Sequence, residues 1–129
     1  MFNDSPFFSG FSVDDIDAAR RFYRDTLGLD VRDSREEGLL EVHAGSRVAF
    51  IIYGKPNHEP ATYTVLNLPV ADVEAAVDRL IAAGVAMEHY DSEYLRTDAK
   101  GIARGNGPTI AWFRDPAGNI ISVLEVPAA

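Results

Sequence analysis

The stretch Ile110–Val126, IAWFRDPAGNIISVLEV, decides how the chain is read. Ile110–Phe113 and Ile120–Val126 are rich in β-branched and aromatic residues, which suit a pleated, half-buried surface. Between them stands Asp115-Pro116-Ala117-Gly118-Asn119. Proline presets φ for the first turn position, and Gly118 reaches a positive φ at little cost. The pattern predicts a hairpin with a loop of about five residues. It is read here as the floor of a cleft; an ordinary core hairpin is the alternative.

Working back from the hairpin, the chain shows a repeat. Pro6–Val13 reads as a strand, and Asp15 is placed to cap a helix over Ile16–Leu27 that Gly28 ends. Asp17 sits in that helix's first turn, and Ile16, Ala19, Tyr23 and Leu27 fall near one face. Leu29–Asp33, Gly38–Ala44 and Arg47–Tyr53 read as three strands, followed by a Pro-bearing linker over Gly54–Glu59. Then the order returns. Tyr63–Val70 is a strand. Asp72 caps a helix with Val73, Ala76, Val77, Leu80 and Ile81 as its apolar stripe, and Gly84 stops it. Val85–Tyr90 reads as a strand before the hairpin. Val13-Asp14-Asp15-Ile16-Asp17-Ala18-Ala19 matches Val70-Ala71-Asp72-Val73-Glu74-Ala75-Ala76, with Asp15 and Asp72 57 residues apart and Gly28 and Gly84 56 apart. The chain is thus predicted to hold two β-α-β-β-β units.

Composition bounds the chemistry. The chain's 129 residues allow one domain with a real core, and 47% hydrophobic with 25% charged residues is globular usage. A net charge of −8 argues against nucleic acid or an anionic membrane as partner, since both need a basic surface. With no cysteine, disulfides, thiolate zinc sites and a cysteine nucleophile are excluded. The N-terminus MFNDSPFF lacks a basic and then apolar leader pattern, and no apolar run is long enough to span a bilayer. A cytoplasmic location is the expectation.

The same residues carry a family resemblance. Val13-Asp14-Asp15-Ile16 through Phe22-Tyr23 and Leu27-Gly28-Leu29, then Val70-Ala71-Asp72-Val73 through Gly84-Val85, and finally Phe113-Arg114-Asp115-Pro116-Ala117-Gly118-Asn119 span nearly the whole chain. In these segments the chain resembles the vicinal oxygen chelate superfamily of glyoxalases, bleomycin-resistance proteins and extradiol dioxygenases. The most specific segment is the DPxGN-type turn after an aromatic strand. The resemblance implies an α+β fold: two βαβββ modules form a curved, cup-like mixed sheet with helices on the convex side. The expected organisation is a single domain over 1–129, with a first module over 5–54, a linker over 55–61 and a second module over 62–127. A homodimer is expected, with the modules paired within one chain or swapped between two.

Strand alternation then sorts side chains between faces. Leu66, Leu68, Val70, Phe11, Val13 and Phe113 suit the face beneath the helices. Thr64 alternates with them, while Tyr63, Val65 and Asn67 take the other face. Phe8, Ser12, His43, Asn67, Trp112 and Ser122 are assigned to the cup. Aromatic walls with a few hydrogen-bonding groups are what a small-molecule site needs. Leaving such hydroxyls and amides buried without partners costs about 1–3 kcal/mol each.

Metal-using members of the superfamily place a His about seven residues before a capping Asp and a Glu three residues after the turn Asn. Those positions hold Phe8, Val65 and Ser122 here, and the first-module counterpart of the Glu falls near Phe50 or Ile51. Phe and Val offer no lone pair, and a lone hydroxyl is a poor ligand for a divalent ion. No metal and no cofactor are expected. Glu41 and His43 share a strand face about 6.6 Å apart, and a third ligand across the cup is the remaining route to an ion. His58 in the linker reads as solvated, and His89 lies at a strand end. No G-x-S-x-G, phosphate-cradling glycine loop or H-E-x-x-H is present. Asp91–Gly107, with Tyr94, Arg96, Lys100 and Arg104, reads as a long mobile loop, either a lid or a surface excursion. Arg20, Arg21 and Arg24 read as a solvated helix face, with Asp17 and Arg21 as an i,i+4 pair.

The leading expectation is a metal-free small-molecule-binding protein, resembling the antibiotic-sequestering, bleomycin-resistance branch of the superfamily. It would hold an aromatic drug or metabolite. Phe8, Phe50, Tyr63 and Trp112 would wall or stack on the ligand; Ser12, His43, Asn67 and Ser122 would orient it. The alternatives are a glyoxalase-type lyase, isomerase or dioxygenase with a non-standard site, using His43 or Glu41 as general base, and a non-catalytic interaction domain.

Overall fold

Two aspartates open the two helices in the same way. Asp15 and Asp72 both take extended backbone, and each side chain accepts a hydrogen bond at 3.1 Å from the N–H three residues on, of Ala18 and Ala75. Each thereby satisfies one of the donors that a helix N-terminus leaves free. Gly28 (φ 72°) and Gly84 (φ 91°) follow the helices in the left-handed region that an L side chain rarely enters. The structure, a computed structural model, describes residues 1–105 and 107–126; the expected end of the second module, at residue 127, lies outside them.

The chain divides into two compact units, Met1–Glu59 and Pro60–Ala129. In the first, β1 (Ser9–Val13) leads to α1 (Ile16–Arg21), whose last turn opens into a π-helical turn over Phe22–Thr26; β2 (Asp30–Asp33), β3 (Leu39–Ala44) and β4 (Arg47–Gly54) follow. The sheet order is β1-β4-β3-β2, with β1 parallel to β4 and the other pairs antiparallel. The second unit repeats this with β5 (Thr64–Pro69), α2 (Val73–Ala82), β6 (Ile102–Ala103), β7 (Ile110–Arg114) and β8 (Ile120–Leu124), in the order β5-β8-β7-β6. This is the α+β architecture of two βαβββ units that the repeat predicts.

Each helix lies on one face of its own sheet. In the first unit the expected single helix over Ile16–Leu27 changes hand-hold at Phe22. The Leu27 N–H reaches the Phe22 carbonyl at 2.9 Å, one residue farther than α-geometry allows. The widened turn seats Tyr23, fully buried, against Phe11 and Phe50 at ring-centroid distances of 5.9 and 6.4 Å. The Arg24 guanidinium donates to the Val31 carbonyl at 2.7 Å and ties the turn to β2. The helix-surface ion pair forms differently from expectation: Arg20, not Arg21, meets Asp17 at 2.6 Å, and it also bridges to Asp33 at 2.7 Å.

In the second unit Val73, Val77 and Leu80 are the buried stripe of α2, over Ala111, Phe113, Ile121 and Val123. Glu125 adds a second acceptor at the helix start, taking the Val73 N–H at 3.0 Å. Val85–Tyr90 is not a strand. Only Met87 bridges to Phe113, while Glu88 N–H donates to the Trp112 carbonyl. The edge of β7 is instead shared with Ile102 and Ala103, which pair with Ala111 and Ile110.

Between these two contacts the chain makes an excursion that the sequence marks as a mobile loop, and it is fastened. Asp98 Oδ1 accepts from the Lys100 and Ile102 N–H groups at 2.9 Å, and Arg104 bonds Oδ2. Lys100 reaches Asp78 of α2 at 2.9 Å and Glu74 at 3.7 Å. Gly101 (φ 82°) packs so closely that a Cβ there would stand 2.7 Å from the Glu88 carbonyl oxygen. Of the glycine-dense run Gly101–Gly107, Asn106 lies outside the described residues.

The closing hairpin has its expected loop. Asp115 N–H donates to the Asn119 carbonyl at 2.9 Å, and Gly118 turns at φ 88°. Asp115 and Asn119 are both buried and satisfied. Asp115 Oδ1 accepts from the Ala117 and Asn119 N–H groups, and Oδ2 accepts from Asn119 Nδ2 at 3.0 Å.

Candidate functional site

The faces that the helices leave open carry the polar and aromatic side chains, and the pairing registers say which. In the first unit Glu41 pairs with Ile51 and Arg32, and His43 with Asp30. Parity puts these opposite Leu40, Val42, Phe50 and Ile52, which are buried with Phe11 on the helix side. His43 Nε2 donates to Glu41 Oε1 at 3.1 Å, and the buried Nδ1 has no hydrogen-bond partner among the described residues. Asp30 is held below the ordinary aspartate range by its bond from Arg32, and the His43 ring adds to the same effect. Ser12, on β1, hydrogen-bonds His58 Nδ1 at 2.7 Å. His58 is therefore engaged with the sheet, where the linker composition suggested free solvent.

In the second unit Trp112, Ser122 and Asn67 stand in one cross-strand row over β7, β8 and β5. Trp112 Nε1 donates to Thr64 Oγ1 at 3.2 Å, and Tyr90 stands edge-on to the indole at 5.5 Å. Burial pushes the Tyr90 phenol up, reinforced by Glu88 and opposed by Arg114. Glu88 and Arg114 are themselves paired, which raises the Arg114 guanidinium further. Ser122 is fully buried, and its hydroxyl donates to Asn67 Oδ1 at 2.5 Å.

Several sequence assignments change on this geometry. Phe50 does not face the open side: it stacks on Phe11 at 5.5 Å and belongs to the core under the helix. The run Val48–Tyr53 is apolar throughout, so its parity is invisible until β4 pairs with its neighbours. Ser122 lies on the expected face but is sealed, so it holds Asn67 instead of meeting a ligand. Thr64 was expected beneath the helix. An irregularity in the register between Thr64 and Leu66 turns it to the Trp112 side, and the same irregularity breaks the alternation that linked Tyr63 and Val65 to Asn67. Tyr63 is 69% exposed, before the strand begins. Phe8, 55% exposed, also precedes its strand and borders an open groove of about 630 Å³ with Phe7, Arg47 and Val48. Ser12, His43, Asn67 and Trp112 stand on the faces the sequence assigns them. Sequence reasoning missed Tyr90, Thr64 and His58. Tyr90's only signal was an aromatic in a stretch read as a strand end.

The metal-binding positions of the superfamily do not fit an ion here. Phe8 and Val65 have no donor atom, and the Ser122 hydroxyl is committed to Asn67 inside the sheet. Among the described residues, no three His, Asp or Glu side chains gather in a way that would hold a metal.

With two βαβββ units and two mixed sheets of identical strand order, the fold defines the class. The chain belongs to the Glyoxalase/Bleomycin resistance protein/Dioxygenase superfamily, whose family model matches residues 9–123. Comparison with curated sequences finds no match. Among solved structures, the chain is similar to TnmS3, an antibiotic binding protein from Streptomyces sp. CB03234: identity is 26%, TM-score 0.67, with 94% of this chain and 96% of that one covered. A lactoylglutathione lyase from Agrobacterium tumefaciens shares 24% identity over 94% and 93% of the two chains, with TM-score 0.65. A glyoxalase family protein from Enterococcus faecalis shares 21% over 97% and 100%, with TM-score 0.68. The last two show the common fold alone. No described helix is long and apolar enough to cross a membrane.

Proposed function

We propose that this protein binds a planar aromatic small molecule against Trp112 and performs no metal-dependent chemistry on it. The observation that carries this reading is the Trp112 face. A half-buried indole, braced by Tyr90 and oriented by Thr64, stands in one cross-strand row with the exposed Asn67, two strands away. That combination of an apolar stacking surface and one directed polar group is the ordinary make-up of a small-molecule site. The donor-poor residues at the superfamily's metal positions support the metal-free part. The likeness to an antibiotic-binding protein supports sequestration as the use of the site. Tyr63, exposed beside β5 of the same unit, is the further residue proposed to meet ligand. A homodimer in the cytoplasm is the proposed working form.

Two measurements test this. A thermal-shift panel of planar aromatic compounds and antibiotics should contain ligands that raise the melting temperature, since a ligand at a hundred times its Kd adds about 2.7 kcal/mol by mass action. Silence across the panel overturns the reading in favour of an interaction domain. Elemental analysis of the purified protein should show no stoichiometric transition metal; nickel, zinc, iron or manganese at one per chain overturns the metal-free claim.

A further inference from the structure

The Ser122–Asn67 bond fixes more than a rotamer. A serine hydroxyl has one hydrogen, and here it goes to Asn67 Oδ1 at 2.5 Å. The carbonyl end of the amide is therefore turned into the sheet, and the two hydrogens of Nδ2 are turned away from it. Asn67 is exposed, and among the described residues no group accepts from Nδ2. On the same row Trp112 has spent its only donor on Thr64, so it offers a π-face and no polar atom. Asn67 and Trp112 flank the buried Ser122, about 10 Å apart as two strand spacings.

Resting on the binding reading above, we propose that Asn67 is the specificity-determining donor of this site. Its ligand is then a planar aromatic that carries a hydrogen-bond-accepting oxygen, a ketone or amide carbonyl in the plane of its rings. Ser122 is a positioning residue: it touches no ligand, and its hydroxyl holds the amide oxygen, which leaves Nδ2 as the group presented. The row as built rewards an acceptor and repels one if the amide is reversed. The same ring system without the carbonyl loses the hydrogen bond while keeping the stacking.

Trp112 is the single tryptophan in the chain, so its emission reports this site alone. Fluorenone and fluorene, which differ by one carbonyl, are titrated against the full-length protein and followed by Trp112 quenching. The expected result is tighter binding of fluorenone. In Asn67→Leu that preference should fall by about tenfold, from the loss of one directed hydrogen bond of about 1.4 kcal/mol. Asn67→Asp, which keeps the shape but offers only acceptors, should lower the preference at least as far. Ser122→Ala should reduce the preference while leaving the fluorene Kd and the melting temperature near wild type, an effect that loss of packing alone would not produce. If both probes bind and the preference is absent, or is unchanged in both Asn67 variants, the donor assignment is overturned and the binding reading stands. If neither probe quenches Trp112, the donor assignment fails, and silence of the wider panel then removes the binding reading with it.

Discussion

The two units share one strand order and spend their fourth strand differently. In the first, β2 runs four residues along β3, from Asp30 to Asp33, and its charged side chains pair with Arg20 and with each other. In the second, the matching edge of β7 is met by Met87 at one point and by Ile102–Ala103 at another, with an excursion between. The helices differ too. The first ends in a π-turn that drives Tyr23 into an aromatic cluster, while the second stays α-helical over Ala111, Phe113, Ile121 and Val123. Topology is held by the caps, stops and hairpins that both copies keep. The edge and the core filling are free to diverge, because each needs only to bury its own face and satisfy its own backbone.

The largest expected effects test the core filling. Tyr23→Ala and Phe113→Ala each remove a fully buried ring and should cost about 3–5 kcal/mol in chemical denaturation. A much smaller loss for Tyr23→Ala would mean that the π-turn reseats and the aromatic cluster is not needed. Next in size is the fastened excursion. Gly101→Ala must enter a positive φ and meet the Glu88 carbonyl, and a destabilisation of about 2–3 kcal/mol is expected. Gly84→Ala, with open space around it, should cost only about 1 kcal/mol. Equal losses would show that close packing at Gly101 is irrelevant.

Smaller still are the caps. Asp15→Ala and Asp72→Ala should each cost about 1 kcal/mol, and similar values would mark the two copies as energetically matched. Glu125 at the start of α2 makes the second helix the one better able to absorb the loss.

The smallest effect is on pH dependence. Burial pushes the Asp98 carboxyl up, but hydrogen bonds from the Ile102 and Lys100 N–H groups and from Arg104 outweigh it, and the carboxyl is lowered overall. A folded value below the unfolded one, about 3.9, stabilises fully above that value and is lost as pH falls through the folded one. Stability measured from pH 5 downward should therefore fall less steeply in Asp98→Asn than in wild type. Identical slopes would exclude Asp98 as an acid-sensitive fastening.

Much of the fold was legible because its signals are local. Asp15 and Asp72 cap with their own side chains, Gly28 and Gly84 are needed for their own backbone angles, and Asp115–Asn119 closes its loop within five residues. The open-face residues were legible where polar and apolar residues alternate, as at Glu41–His43 and Asn67. They were not legible at Phe50, where every neighbour is apolar. Nor were they at Thr64, where one irregular residue in the register reverses the alternation that the sequence alone would continue.

What the amino-acid sequence determined by itself is the repeat, the helices' starts and stops, the hairpin turn and the identity of the residues, Phe8, Val65 and Ser122, at the superfamily's metal positions. The caps, stops and turn depend on residues close together along the chain, and the repeat and the metal positions are read from residue identity alone. Only the tertiary structure decided that Tyr90 braces Trp112, that His58 meets Ser12, that Ser122 is sealed behind Asn67, and that the excursion after Tyr90 is clamped to α2. Each of those is a contact between distant segments, set by which strands pair and in what register, and pairing is a property of the folded chain.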